Sequence, residues 1–349
     1  MKQSIGIGIQ DFEKIRKRNL FYIDKTDFIK EWWENNDDVT LITRPRRFGK
    51  TLTMSMIEKF FSVVYKGRDD LFENLSIWKD EDYKKLQGTY PVISLSLASV
   101  KENNFQDAYN QICQLLSDLY NHYAFLKRSG LLEDGEFDFF ERAQCNMGKT
   151  EAVLSLHHLS DYMSRYYGKK VIILLDEYDT PMQEAWVNGY WEELASFTRS
   201  LFDASFKTNP YLERGLMTGI TRVGKESIFS GLNNLKIVSV TSDSYASAFG
   251  FTEKEVFDIL DEYGMPDKKE DIKKWYDGFS FGKEKDIYNP WSIINYLNER
   301  ALGTYWVNTS SNSLVEKLLR EGSSEVKKIT EDLLKGKSFV VEADEQDSL

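Results

Sequence analysis

The chain has 349 residues, 41% of them hydrophobic and 14% aromatic, which is enough apolar material for a sizeable core and too much for wholesale disorder. A formal net charge of −11 argues against a broad phosphate-binding face for nucleic acid, so any such contact would have to be local. Two cysteines and three histidines offer neither a disulfide framework nor a metal-ligand set, and no apolar run nears the roughly 20 residues of a membrane helix.

The N-terminus, MKQSIGIGIQDFEKI, lacks the long apolar stretch and cleavage site of a signal peptide, so a soluble cytoplasmic protein is expected. Residues 1–35 read as a lead-in. A first buried strand follows over Val39–Thr43, then a helix over Thr51–Val64. Pro91 introduces a second strand, Val92–Leu97, and apolar spacing predicts a helix over Phe105–Tyr123. Phe137–Gln144 also reads as helix, and so does Glu151–Tyr167, whose adjacent His157 and His158 are a polar stretch of that helix. The cleanest strand is Val171–Leu175. A helix is expected over Asn188–Phe206, with further strands at Gly215–Thr221 and Leu235–Val240. Short, continuous apolar strands alternating with helices predict a doubly wound, mainly parallel α/β sheet over residues 36–249. From Gly250 to the end, the expectation is a mostly helical region. Thr252 and Glu255 form a capping box there, turns fall at Asp277-Gly278 and Phe281-Gly282, and the acidic tail from Glu342 is frayed.

Chemistry enters at VTLITRPRRFGKT, residues 39–51. An apolar strand runs into a loop and then into a helix opened by Gly49-Lys50-Thr51, the context of a phosphate loop in a P-loop NTPase. Free N–H groups and the positive dipole end at a helix start suit phosphate. Gly49 permits close backbone approach, Lys50 would reach the β- and γ-phosphates, and Thr51 would ligate Mg²⁺. Arg46, Arg47, Phe48 and Leu52 complete the expected nucleotide-binding set. The usual pattern places a glycine five positions before Gly49, where this chain has Arg44, so the first turn must be made differently. A second Gly-Lys-Thr, at 148–150, follows a helical segment rather than a strand and has no sheet edge to fix it.

The strand at 171–175 ends in Asp176-Glu177-Tyr178-Asp179. Asp176 would hold Mg²⁺ or its waters, and Glu177 would orient and deprotonate the attacking water. A later strand ends in Thr221-Arg222. There Thr221 would read the γ-phosphate and Arg222 would stabilise charge on it, since ligands of open parallel sheets lie at the carboxyl ends of strands.

Several segments resemble the bacterial AAA-ATPase-like proteins that are often fused to a C-terminal PD-(D/E)XK nuclease-like domain. They are DFEKIR (11–16), FYIDKT (21–26), TRPRRFGKT (43–51), YPVISLSL (90–97), LLDEYDTPM (174–182), WYDGFSFG (275–282), YNPWSI (288–293) and YWVNTSSN (305–312). The resemblance implies an ATPase using ATP and Mg²⁺, with Phe21–Ile23 near the adenine and a helical lid at about 250–330. It also implies that an Arg-Pro-Arg-Arg loop is usual. The nuclease-like domain is expected to be absent, because no core strand carries an acid followed by E-x-K, and Glu253-Lys254 sits at a helix start. The expected function is ATP hydrolysis as a switch or motor, with DNA processing and a nucleic-acid or nuclease partner as its setting. A nucleotide-binding regulatory module without hydrolysis is the alternative, and a kinase-like phosphotransferase a further one. Glu177 favours hydrolysis, since a binding-only module has no need of it.

Overall fold

The computed structural model describes residues 3–221, 228–306, 328–330 and 332. Two short helices, α1 (Phe12–Lys17) and α2 (Asp27–Glu34), precede β1 (Val39–Thr43) and α3 (Lys50–Phe61). Next come α4 (Glu81–Leu86), β2 (Val92–Ser96), α5 (Phe105–His122), α6 (Asp134–Cys145), α7 (Lys149–Tyr167) and β3 (Val171–Asp176). The sheet region closes with α8 (Thr180–Asn188), α9 (Trp191–Phe202), β4 (Leu212–Gly219) and β5 (Leu235–Val238). All five strands run parallel in the order β2-β3-β4-β1-β5, so every strand delivers its carboxyl end to one edge.

The period-2 alternation of the strands divides the core into two layers. Val39, Leu41, Ile173 and Leu175 pack with α5 to α9 on one face. Ile42, Ile172, Leu174 and Leu216 pack with Phe12 of α1, Phe28 and Trp32 of α2, and Ile57 and Phe60 of α3 on the other. The same parity turns Asp176, two residues beyond Leu174, toward α3.

The helix expected over Asn188–Phe206 starts at Trp191 as α9, and α8, which the spacing does not predict, precedes it. Gly189, at φ +83°, ends α8 in the left-handed region that glycine adopts without penalty, and Pro181 in the first turn fixes an earlier start. Beyond α9 the chain makes a π turn over Asp203–Lys207. Phe21–Ile23 joins neither sheet; the Phe21 N–H donates to the Ser4 carbonyl at 2.9 Å.

From Phe251 the chain forms β6 (Phe251–Thr252), α10 (Glu253–Glu262), α11 (Lys269–Tyr276), β7 (Phe279–Phe281), β8 (Glu284–Tyr288) and α12 (Pro290–Glu299). The three strands make a small antiparallel sheet, β6-β8-β7, that a purely helical reading omits; its strands are too short for period 2 to register. Thr252 and Glu255 form the expected capping box. Ile5, Phe21 and Ile23 of the lead-in pack on this region's core, and Lys25 bonds Glu255 at 2.6 Å and the Ser247 carbonyl at 2.8 Å. Both terminal segments therefore meet over the carboxyl edge of the large sheet.

Arg44 fastens this region to the sheet. Its fully buried guanidinium donates to the carbonyls of Thr43 (3.0 Å), Val238 (3.4 Å), Ser239 (2.6 Å) and Ser244 (3.4 Å), and lies 4.6 Å from the Phe281 ring centre. Burial brings its pKa down to about 10. Arg44→Met keeps most of the volume and removes every donor. We expect its urea midpoint to fall by the equivalent of about 2–3 kcal/mol; an unchanged midpoint would mean that desolvating the cation costs as much as its bonds return.

Candidate nucleotide site

The loop from Arg44 to Thr51 owes its shape to residues pointing opposite ways. Arg44 and Phe48 are buried, Phe48 against Phe279 and Phe281 of β7. Arg46 and Arg47 are exposed, and the Arg47 guanidinium lies 4.2 Å from the Trp291 ring centre. Arg47 at φ +69° and Gly49 at φ +84° turn the chain into α3. No Cβ at Gly49 would meet another atom within 4 Å, so its glycine serves the dihedral and the open space in front of it. The loop is thus anchored by two buried side chains where a more usual phosphate loop relies on an additional glycine.

Lys50 opens α3 and is buried. Its ammonium donates to the carbonyls of Arg44 (2.9 Å) and Pro45 (3.0 Å). Burial pushes its pKa down, and the nearby carboxylates of Glu177, Asp179 and Asp176 oppose that shift. Thr51, the next residue, donates to Asp176 Oδ2 at 2.7 Å.

Asp176 stands at the end of β3. Leu175 is in register with Met217, so the next step along both strands sets Thr218 beside Asp176. The Thr218 hydroxyl donates a short bond to Asp176 Oδ1. Strand β4, lying between β1 and β3, thereby supplies a residue that the sequence reading passed over in favour of Thr221. The signal was available: Thr218 has the parity of Leu216 and faces the α3 layer.

Glu177 follows with φ +52°, an unusual conformation for a glutamate, and its Oε2 accepts from Thr180 Oγ1 at 2.9 Å. Tyr178 donates through its hydroxyl to the Thr221 carbonyl at 2.8 Å. Asp179 is fully buried, and its Oδ2 accepts from the N–H groups of Ile220 (2.9 Å) and Thr221 (2.8 Å), from Thr221 Oγ1 (2.9 Å) and from Gln183 Nε2 (2.8 Å). Gly219 leaves room for this clamp: a Cβ there would stand 2.5 Å from the Tyr178 ring and 2.8 Å from Asp179. Thr221, expected to face a phosphate, has its hydroxyl on Asp179 here, and Arg222 lies outside the described residues.

Lys50, Thr51, Glu177, Thr180 and Gln183 line a cavity of about 440 Å³, within the usual range for small-molecule sites, and Asp176 and Asp179 hold members of that wall from behind. Arg46, Arg47, Lys50, Thr51 and Glu177 line its polar end, with Leu52 nearby. Ile9, Phe21, Ile23, Phe251, Trp291 and Ile294 line its apolar end, a surface that only the folded lead-in and C-terminal region together create. Lys149 is exposed at the start of α7, behind α6 and not a strand, and is not part of the cavity wall.

Among the described residues no group of three or more His, Cys, Asp or Glu side chains could hold a metal ion, and no helix is long and apolar enough to cross a membrane. The oxygen pair of Thr51 and Asp176 nevertheless suits Mg²⁺, which usually takes one or two protein oxygens and completes its octahedron with phosphate and water. Burial raises the Asp176 pKa against the pull of the Thr218 and Thr51 bonds, so the carboxylate is held at a disadvantage that a cation would relieve. Because the folded state keeps the Asp176 proton more tightly than the unfolded chain, the penalty is absent at low pH. It sets in as pH rises from 3.8 through the raised value. Asp176→Asn is therefore expected to melt higher than wild type at pH 7 without ligand, with the advantage shrinking toward pH 3.5. Differential scanning calorimetry across that range checks both, and an Asn variant that melts lower at pH 7 would contradict them.

The family described as "Predicted AAA-ATPase" matches residues 6–229 of this chain. An "Uncharacterized protein in vnfD 5'region" of Azotobacter chroococcum mcd 1 is 26% identical over 323 residues. That match covers 92% of this chain and 57% of the length of the Azotobacter protein, so the chain spans little more than half of that relative.

Proposed function

The chain belongs to the predicted AAA-ATPase family, and from that footing we propose that it binds Mg-ATP in the cavity over the phosphate loop and hydrolyses it. The observation that carries this reading is the Thr51–Asp176 bond, which joins the phosphate loop to the acidic strand end with Glu177 in the same cavity wall. Lys50 would exchange its two carbonyl partners for phosphate oxygens, since an anionic oxygen attracts an ammonium more strongly than a neutral carbonyl does. Arg46 and Arg47 would add charge beside the triphosphate. Asp176 and Thr51 would hold Mg²⁺, which would offset the charge of the phosphates. Glu177 would take the proton of the attacking water. The apolar end of the cavity fits a base, with Phe21 and Ile23 on its wall. Arg222 would stabilise the γ-phosphate, in its own subunit or in a neighbour's.

A second reading, a nucleotide-binding switch with little turnover, draws on one observation: the Thr180 hydroxyl already occupies one Glu177 oxygen. We favour hydrolysis, because a hydroxyl is readily displaced from a carboxylate by water. DNA processing, a nuclease partner and a cytoplasmic location remain parts of the proposal, and the net charge of −11 restricts any nucleic-acid contact to a local patch.

Lys50→Ala should lose tight Mg-ATP binding in calorimetry, while Lys149→Ala should bind as wild type does. The reverse pattern would move the site to the second Gly-Lys-Thr. Glu177→Gln should keep Mg-ATP affinity and lose about 10²-fold or more in phosphate release. Full turnover by Glu177→Gln would remove the general base from the scheme.

A further inference from the structure

Helix α8 opens with Thr180 and carries Gln183 and Glu184 one turn later, so all three share one face, and all three line the cavity with Glu177. Gln183 is the one whose orientation is fixed from both sides. Its Nε2 donates to the buried Asp179 carboxylate at 2.8 Å, and its Oε1 accepts from the Arg46 guanidinium at 3.4 Å. An amide flipped by 180° would turn a carbonyl oxygen toward a carboxylate and an NH₂ toward a cation, so neighbouring charge dictates which end is oxygen. Asp179 is itself immobilised by two backbone N–H groups and a hydroxyl at the end of β4.

The two contacts of Gln183 differ in strength. The bond to Asp179 is short and charge-assisted, whereas the contact with Arg46 is long and weak. A triphosphate on the loop competes for Arg46 with several anionic oxygens, and Gln183 has only one neutral carbonyl to offer. Once Arg46 turns to phosphate, Gln183 Oε1 is a free acceptor, still aimed into the cavity by Asp179, on the same wall as Glu177.

We propose that Gln183 is a catalytic residue of the hydrolysis, its Oε1 accepting one hydrogen of the attacking water while Glu177 takes the other as a proton. The water oxygen forms the new bond to the γ-phosphorus, and the bond from that phosphorus to the β–γ bridging oxygen breaks. The products are ADP and inorganic phosphate, with the proton left on Glu177. Two acceptors hold a water in one orientation where a single one lets it rotate, and that positioning lowers the barrier. Asp179 acts through Gln183 and is a positioning residue. The inference rests on the hydrolytic reading above.

The test is steady-state phosphate release with Mg-ATP, and binding of a slowly hydrolysed ATP analogue, on the full chain. Gln183→Leu should lower kcat about 10-fold or more, with analogue affinity within about twofold of wild type. Gln183 is partly exposed, so the variant is expected to fold, and its melting temperature checks this. An anchoring role for Arg46 alone is separated by repeating the substitution in Arg46→Ala. If Gln183 contacts the water, the loss in kcat persists in that background; if it vanishes there, Gln183 is only a tether and the proposal is overturned. Unchanged kcat in Gln183→Leu beside an active wild type overturns this inference and leaves the hydrolytic reading standing. No phosphate release from wild type overturns both.

Discussion

Asp176 holds two hydroxyls at once, Thr51 from the first turn of α3 and Thr218 from the neighbouring strand, and the site is organised around that carboxylate. Each bond joins a different part of the chain: the loop after β1, the end of β3, and β4 between them. Burial makes the ionised form costly, so the fold tolerates a local disadvantage at the place where a cation would remove it. Around this centre sit the ammonium of Lys50, folded onto its own loop, and the carboxylate of Glu177, occupied by Thr180. Each group is satisfied by a partner that is weaker than the ligand proposed for it, so the site is ordered and can still exchange partners.

The parallel topology does the positioning. In the order β2-β3-β4-β1-β5 the strand before the phosphate loop and the strand before the acidic pair are not neighbours, and β4 separates them. A strand inserted between the two gains access to both, which explains why Thr218, and the Gly219–Thr221 segment gripped by Tyr178 and Asp179, belong to the site. The DEYD run therefore works as a unit: Asp176 bonds Thr51 of the cavity wall, Glu177 lines the cavity, and Tyr178 and Asp179 hold the adjoining strand end.

Much of this could be read from the residues alone. The five strands were visible as apolar runs, because strands covered on both faces leave little polar ambiguity, and the strand–loop–helix context separated Lys50 from Lys149. Interactions that depend on tertiary neighbours could not be read. Nothing local marks Arg44 as a buried clamp for carbonyls of the segment 238–244, since its partners lie about 200 positions away. The parity of Thr218 is legible, but its place beside Asp176 depends on register across strands, which a single strand does not reveal. The strands of the C-terminal region escaped because two to five residues give period 2 too few repeats, and α8 because its nine residues follow the acidic run directly.

The joining of the two terminal segments over the cavity has a bearing on how the protein is made. Lys25 meets Glu255 across 230 positions of sequence, and the apolar end of the cavity is completed by Ile294 of α12. During synthesis the phosphate loop and the acidic strand end emerge early, but the wall opposite them exists only when the chain has been extended to α12. Contacts of such sequence separation form late, after the entropy of closing a long loop has been overcome. A chain synthesised only as far as the acidic strand end thus carries the charged lining of the pocket without the apolar lining that Phe251, Trp291 and Ile294 supply. Ligand capture then acts as a seal on the pocket, drawing the equilibrium toward chains whose lead-in has docked on the region from Phe251 to α12.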